Sequence, residues 1–149
     1  MDTIPIPPDL KEFLSLLNAK SVEYLLIGGY AVGYHGYVRA TGDMDVWIAS
    51  TLENAEKMTA LLREFGFNAP GLSPELFCKP HSLVRMGVPP FRIEILTTIS
   101  GVEFSECYAA HVEDLLDGVP VKVIGLQHLK INKAASGRLK DLADLENLP

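Results

Sequence analysis

Apolar positions along the chain recur at two spacings, and the switches between them predict the elements. After Pro7-Pro8, residues Leu10, Phe13, Leu14 and Leu17 repeat at helical intervals, which predicts an amphipathic helix with Asp9 as its cap. Glu23 to Ile27 is a short apolar run ending at Gly28-Gly29, the pattern of a buried strand entering a tight turn. A short helix over Tyr30 to Tyr34, closed by Gly36, and a strand over Met44 to Ala49 follow. Thr51 stands at the N-cap of an amphipathic helix from Leu52 to Phe65, with Gly66 at its end. Residues 69–90 hold five prolines and predict loops around a strand at Ser82 to Met86. Phe91 to Leu96 (FRIEIL) alternates as a strand does. Val112 to Leu116 and Val119 to Ile124, joined by Asp117-Gly118, predict a hairpin with a type I′ turn. Two helices, about Leu126 to Ser136 and Leu139 to Leu148, are parted near Gly137. The alternation of strands and helices predicts one α/β or mixed α+β domain over residues 1–149, a central sheet flanked by helices.

Composition narrows the function classes. A chain of 149 residues, 48% hydrophobic, can bury a core without disulfides or metal. Nineteen acidic against 13 basic residues, a net charge of −6, argue against a general DNA- or RNA-coating protein, which needs surplus positive charge. No stretch approaches the ~18 apolar residues of a membrane span, and the N-terminus has acids and prolines where a signal peptide needs a basic start and an apolar run. Cys78 and Cys107, with no CxxC spacing, fit free thiols in a reducing cytoplasm. The four histidines lack H-x-x-x-H spacing, which argues against a zinc site.

The informative stretch runs from Leu25 to Ala49. Gly28-Gly29 after a strand would let the backbone approach a ligand closely, with the following helix start turned to a phosphate, although taken alone the pair reads first as a plain tight turn. Asp43 and Asp45 stand at i and i+2 on a strand, so both carboxylates project from one face. Such a pair is costly to bury unless a cation neutralises it, and Mg²⁺ favours oxygen ligands of this kind. The competing reading is a solvent-exposed acidic strand end, against which stands the apolar run Val46-Trp47-Ile48. Glu94, in the centre of FRIEIL, is the candidate third carboxylate if its strand neighbours the Asp43–Asp45 strand; otherwise it faces solvent on an edge. Three carboxylates and two Mg²⁺ would hold a triphosphate and activate a hydroxyl for in-line attack.

The ordered set Gly28-Gly29, Asp43-Met44-Asp45 and a later strand acid resembles the nucleotidyltransferase fold of the DNA polymerase β superfamily, and is similar to AbiEii-type toxin and minimal nucleotidyltransferases. Arg39-Ala40-Thr41-Gly42-Asp43 is similar to the R-x-T-x-D lead into the acidic pair, and Lys133 to Asp141 is similar to a K-x-x-x-x-R-x-K-D segment near the end of such proteins. The third acid is commonly Asp there and is Glu94 here. The resemblance implies a mixed sheet with C-terminal helices and transfer of a nucleoside monophosphate from an NTP to a hydroxyl acceptor. It implies two Mg²⁺, with Mn²⁺ as a substitute, on Asp43, Asp45 and Glu94, and contacts from Gly28 and Gly29 to the β- and γ-phosphates.

No acid occurs between Gln127 and Lys140, where Lys130, Lys133, Arg138 and Lys140 lie. A solvated helix surface explains Lys130, while the resemblance implies phosphate or acceptor contacts for Lys133, Arg138 and Lys140, with Asp141 and Asp144 orienting these bases or bonding neighbouring helices. Arg39 is a candidate either to hold a phosphate or to pair with Asp43, and Thr41 to hydrogen-bond or cap the loop. Tyr24, Tyr30, Tyr34 and Tyr37 read as packing residues. The expected partners are an NTP and an acceptor of open identity (tRNA, a protein or a small molecule), recognised through a second subunit, an antitoxin-like partner or the loop-rich middle, with no membrane. The alternative is a non-catalytic nucleotide- or partner-binding module of the same fold.

Overall fold

The computed structural model describes residues 5–87 and 92–149. Its elements are α1 (Pro8–Ala19), β1 (Tyr24–Ile27), α2 (Gly28–Tyr34), β2 (Asp43–Ile48), α3 (Leu52–Glu64), a 3₁₀ turn (Pro74–Phe77), β3 (Leu83–Met86), β4 (Arg92–Leu96), α4 (Phe104–Ala109), β5 (Val112–Leu116), β6 (Val119–Val123), α5 (Leu126–Ser136) and α6 (Leu139–Asn147). The strands form one six-stranded sheet in the order β3-β4-β2-β1-β6-β5. Pairing is parallel for β2/β4 and β1/β6 and antiparallel for β1/β2, β3/β4 and β5/β6, so the sheet is mixed.

Strand alternation divides the β3-β4-β2 half of the sheet into two unlike faces. Met44, Val46, Ile93, Ile95, Val84 and Met86 are buried on one. Leu10 of α1 and Phe65 after α3 lie beside Met86 and Ile93, and the Phe13 and Phe65 rings meet edge to face at 5.6 Å. The predicted stripe of α1 is the buried one: Leu10, Phe13, Leu14 and Leu17 are each at most 1% exposed. Each such side chain contributes roughly 1.5–3 kcal/mol of transfer free energy. The opposite face carries Asp43, Asp45, Arg92, Glu94 and Arg85, and beyond them Trp47, which packs edge to face on Phe104 of α4 at 5.1 Å.

Asn54 fixes the junction of β1, β2 and α3. Its Oδ1 accepts from the Glu23 N–H (2.7 Å), and its Nδ2 donates to the carbonyls of Glu23 (3.0 Å) and Ala49 (2.9 Å). Thr51 caps α3 as expected, its hydroxyl oxygen accepting from the Asn54 N–H. Asp117 and Gly118 take φ of +50° and +81°, as a type I′ hairpin turn requires. Gly137 ends α5 at φ +70°.

Two expectations need correction, and one element was not expected. Asp9 does not cap α1: the helix starts at Pro8, whose fixed φ and missing N–H suit the first helical position, and Asp9 lies in its first turn. α2 begins at Gly28 and not at Tyr30, so the glycine pair is inside the helix. α4 carries no element expectation; at six residues it is too short to show a helical period. Phe91, at the start of the expected FRIEIL strand, lies outside the described residues. Cys78 and Cys107 are free thiols. No helix among the described residues is long and apolar enough to cross a membrane.

Candidate active site

β2 and β4 run parallel, with Asp45 opposite Glu94 and Asp43 opposite Arg92. On the far side of β4, Arg85 of β3 stands opposite Glu94. Glu94 is therefore on an inner strand, beside the Asp43–Asp45 strand. The row is laced by two ion pairs: Arg92 donates to Asp43 (3.0 and 3.3 Å), and Arg85 Nε donates to Glu94 Oε2 (2.6 Å). Asp45 has no such cation. Its Oδ1 is a buried oxygen with no hydrogen-bond partner. Burial foremost, then a hydrogen bond shared with Glu94 and the charges of Glu94 and Asp43, push its carboxyl up to about 7, while Lys140 acts the other way. Among the described residues, no three His, Cys, Asp or Glu side chains stand in a metal-holding arrangement; Asp43 and Glu94 are turned to their arginines.

The glycines acquire a reason the sequence did not show. Gly28 adopts φ +66°, and a Cβ there would overlap Asp45 Oδ2; a Cβ on Gly29 would overlap the Thr41 hydroxyl. The bare backbone thus leaves room for the Asp45 carboxylate and for Thr41, which donates to the Asp43 carbonyl (3.3 Å) and so ties its own loop to β2.

Above this row lie α5 and α6. Lys133, 5% exposed, donates to Asp141 and Asp144 at 3.1 Å each, and both acids are 1% exposed. Arg39 clamps Asp144 with two hydrogen bonds (2.7 and 2.8 Å); it pairs with this acid and not with Asp43. Arg138 and Ser136 donate to Asp141. Burial alone would raise Asp141, but hydrogen bonds from Arg138, Ser136 and Lys133 outweigh it and hold the carboxyl well below the usual range; Asp144 is lowered likewise by Arg39 and Lys133. Lys133 is thus a buried anchor between two helix acids, whereas the Arg138 side chain is 73% exposed at the cleft mouth. Lys130 reaches the Pro149 carbonyl on the surface.

Together the sheet row and the helices enclose a cleft of two adjoining lobes, each of about 360 Å³, that share Gly29, Asp45, Arg85, Glu94, Arg138 and Lys140. One lobe extends past Leu96, Ile99 and Asn132; the other is walled by Thr41, Asp43 and Arg92. Six of the thirteen basic residues of this acidic chain line the cleft. The candidate metal and nucleotide ligands named from sequence thus line one cleft, while Lys130 and the tyrosines do not. Arg85 and Arg92 were missed: Arg92 stands two residues before Glu94 on the same strand and so faces the same way, whereas Arg85 reaches the row only through the β3/β4 register.

The chain overlays on the structure of a proposed nucleotidyltransferase from Thermotoga maritima, with a TM-score of 0.59 and 14% identity over 92% of this chain and 88% of the other. It overlays on an antigenic nucleotidyltransferase-like protein from Paracoccidioides brasiliensis with a TM-score of 0.56 and 19% identity, over 91% and 71%. The fold is the nucleotidyltransferase fold. No family model and no curated protein matches the sequence. At such low identity the likeness extends to the path of the chain and no further. A nucleotidyltransferase fold with its polar cleft against the β2–β4 pair is what the expected mixed architecture amounts to.

Proposed function

We propose that this chain is a metal-dependent nucleotidyltransferase, moving a nucleoside monophosphate from an NTP to a hydroxyl acceptor with release of pyrophosphate. The observation that carries the reading is Asp45, a carboxylate on the floor of a base-rich cleft with one buried oxygen left unsatisfied. An orphaned carboxylate oxygen is expensive unless a cation meets it, and a hard divalent ion fits this donor chemistry. Asp43, Asp45 and Glu94 would hold two Mg²⁺, or Mn²⁺ in their place. When bound, the ions would neutralise triphosphate charge and acidify the acceptor hydroxyl.

The chain's own residues supply positioning and charge. Arg138 and Lys140 at the mouth draw in the phosphates. Main chain at Gly28 and Gly29 bounds the phosphate side; at seven residues α2 adds little dipole, so side-chain cations carry most of the attraction. The lobe lined by Leu96, Ile99 and Asn132 offers the nucleoside apolar walls and an amide. The acceptor oxygen attacks the α-phosphorus, Glu94 takes its proton, and the bond to the β-phosphate breaks so that pyrophosphate leaves with the electron pair. The AbiEii-like motifs support a toxin–antitoxin-type role, with a tRNA, protein or small-molecule hydroxyl as acceptor.

The test is incubation with each α-labelled and γ-labelled NTP, Mg²⁺ or Mn²⁺, and cell extract as the source of acceptors. Label is expected to pass from the α position and never from the γ, and Asp45→Asn is expected to abolish the transfer. No labelled product from any NTP overturns catalysis. A second reading, a non-catalytic nucleotide-binding module, is favoured by the arginines seated on Asp43 and Glu94; metal-dependent NTP binding without transfer would mark it.

A further inference from the structure

We infer that Arg85 and Arg92 are substrate-phosphate ligands held in reserve by the metal-binding carboxylates, so that cation binding and nucleotide binding each release the other's ligands. The inference rests on the proposed metal-dependent nucleotide chemistry and adds two residues to it. Its basis is the pairing across three strands. Arg85 opposes Glu94 in the β3/β4 register, and Arg92 opposes Asp43 in the β2/β4 register. Both guanidiniums face the cleft and occupy carboxylate oxygens that a cation would need.

Neither arginine is itself sealed in the protein. The Arg85 side chain is half exposed and Arg92 also reaches solvent, although their partners Glu94 and Asp43 are more enclosed; Lys133, by contrast, is sealed between Asp141 and Asp144. A solvent-reaching guanidinium can swing from one anion to another without itself being desolvated, provided that a cation takes its place on the carboxylate. The guanidinium fork suits phosphate as well as carboxylate. Both arginines line the same polar lobe as Arg138 and Lys140, where a triphosphate would bring the negative charge that a cation takes away from them.

A consequence follows that a purely structural ion pair would not give. Removing the Arg85 charge frees Glu94 for a cation but deprives the nucleotide of a ligand, so the two affinities must move in opposite directions. The measurement uses the full chain as Arg85→Gln. Mn²⁺ alone is titrated by electron paramagnetic resonance, and α,β-methylene-ATP and α,β-methylene-GTP are titrated by calorimetry at fixed Mg²⁺. The variant is expected to bind Mn²⁺ about three- to tenfold more tightly and the nucleotide analogues about tenfold more weakly. Arg85→Lys should restore part of both effects. Lys11→Gln, which removes the same charge at the distant Asp117 pair, should change neither. Affinities that move together, or do not move, overturn the inference while leaving the nucleotidyltransferase reading standing. A parent protein that binds neither Mn²⁺ nor any analogue overturns both.

Discussion

Asp45 combines three properties that rarely coexist in a carboxylate without a ligand: a buried oxygen without a partner, two like charges nearby, and a glycine whose missing Cβ makes its space. Without metal this is a cost to the fold. Its carboxyl is pushed to about 7 from an ordinary value near 3.8, so the native state keeps a proton that the unfolded chain has released. The stability attached to that proton is fully present below about pH 4 and is lost as pH rises through 7. In EDTA, Asp45→Asn should therefore melt close to the parent near pH 4–5 and above it at pH 8. The advantage is on the order of 2 kcal/mol, or about 4–8 °C. Thermal melts across that range check it; a variant less stable than the parent at pH 8 would contradict the burial argument. The acids were legible because the i, i+2 spacing on a strand fixes their common face and the apolar flanks fix the strand. The pairings of the arginines opposite were not, since cross-strand register depends on which strands pair, and the spacing alone does not say that the Ser82–Met86 strand lies beside the Phe91–Leu96 strand.

Among the elements, those with long apolar periods were legible and those held by tertiary contacts were not. α1, α3 and the β5–β6 hairpin follow from spacing and turn chemistry alone. α4 exists because Phe104 caps the Trp47 ring, a contact between positions 57 residues apart in the chain. The start of α2 was misplaced because glycines read as turn formers, whereas Asp45 and Thr41 require them inside the helix. Asn54 was likewise unreadable as a joint: in sequence it is one polar residue in a helix, and in the fold it bonds two strands through three hydrogen bonds. Asn54→Ala removes the side-chain partner of the Glu23 N–H and of the buried Ala49 carbonyl, while the Glu23 carbonyl keeps its bond from the Ala49 N–H. It should cost about 2–4 kcal/mol in urea unfolding without changing the cleft residues. A loss below about 0.5 kcal/mol would show that the joint is not structural.

At the scale of the whole molecule, an acidic chain has gathered nearly half of its bases around one cleft. They are arranged in two tiers. Lys133 and Arg39 hold Asp141 and Asp144 and so tie the C-terminal helices to the loop before β2, while Arg85, Arg92, Arg138 and Lys140 line the cleft between those helices and the sheet. The K-x-x-x-x-R-x-K-D segment was legible as a basic cluster, but its division into a buried anchor and an exposed rim required the helices to be packed. Under the proposed function, this arrangement takes a ligand bearing negative charge together with a cation for the unmatched oxygen of Asp45. The most direct measurement is anomalous X-ray diffraction from crystals grown with Mn²⁺ and α,β-methylene-ATP. The account predicts a manganese peak bonded to Asp45 Oδ1 with the phosphates in the cleft; bound nucleotide with that oxygen still unliganded, or manganese held elsewhere, would contradict it.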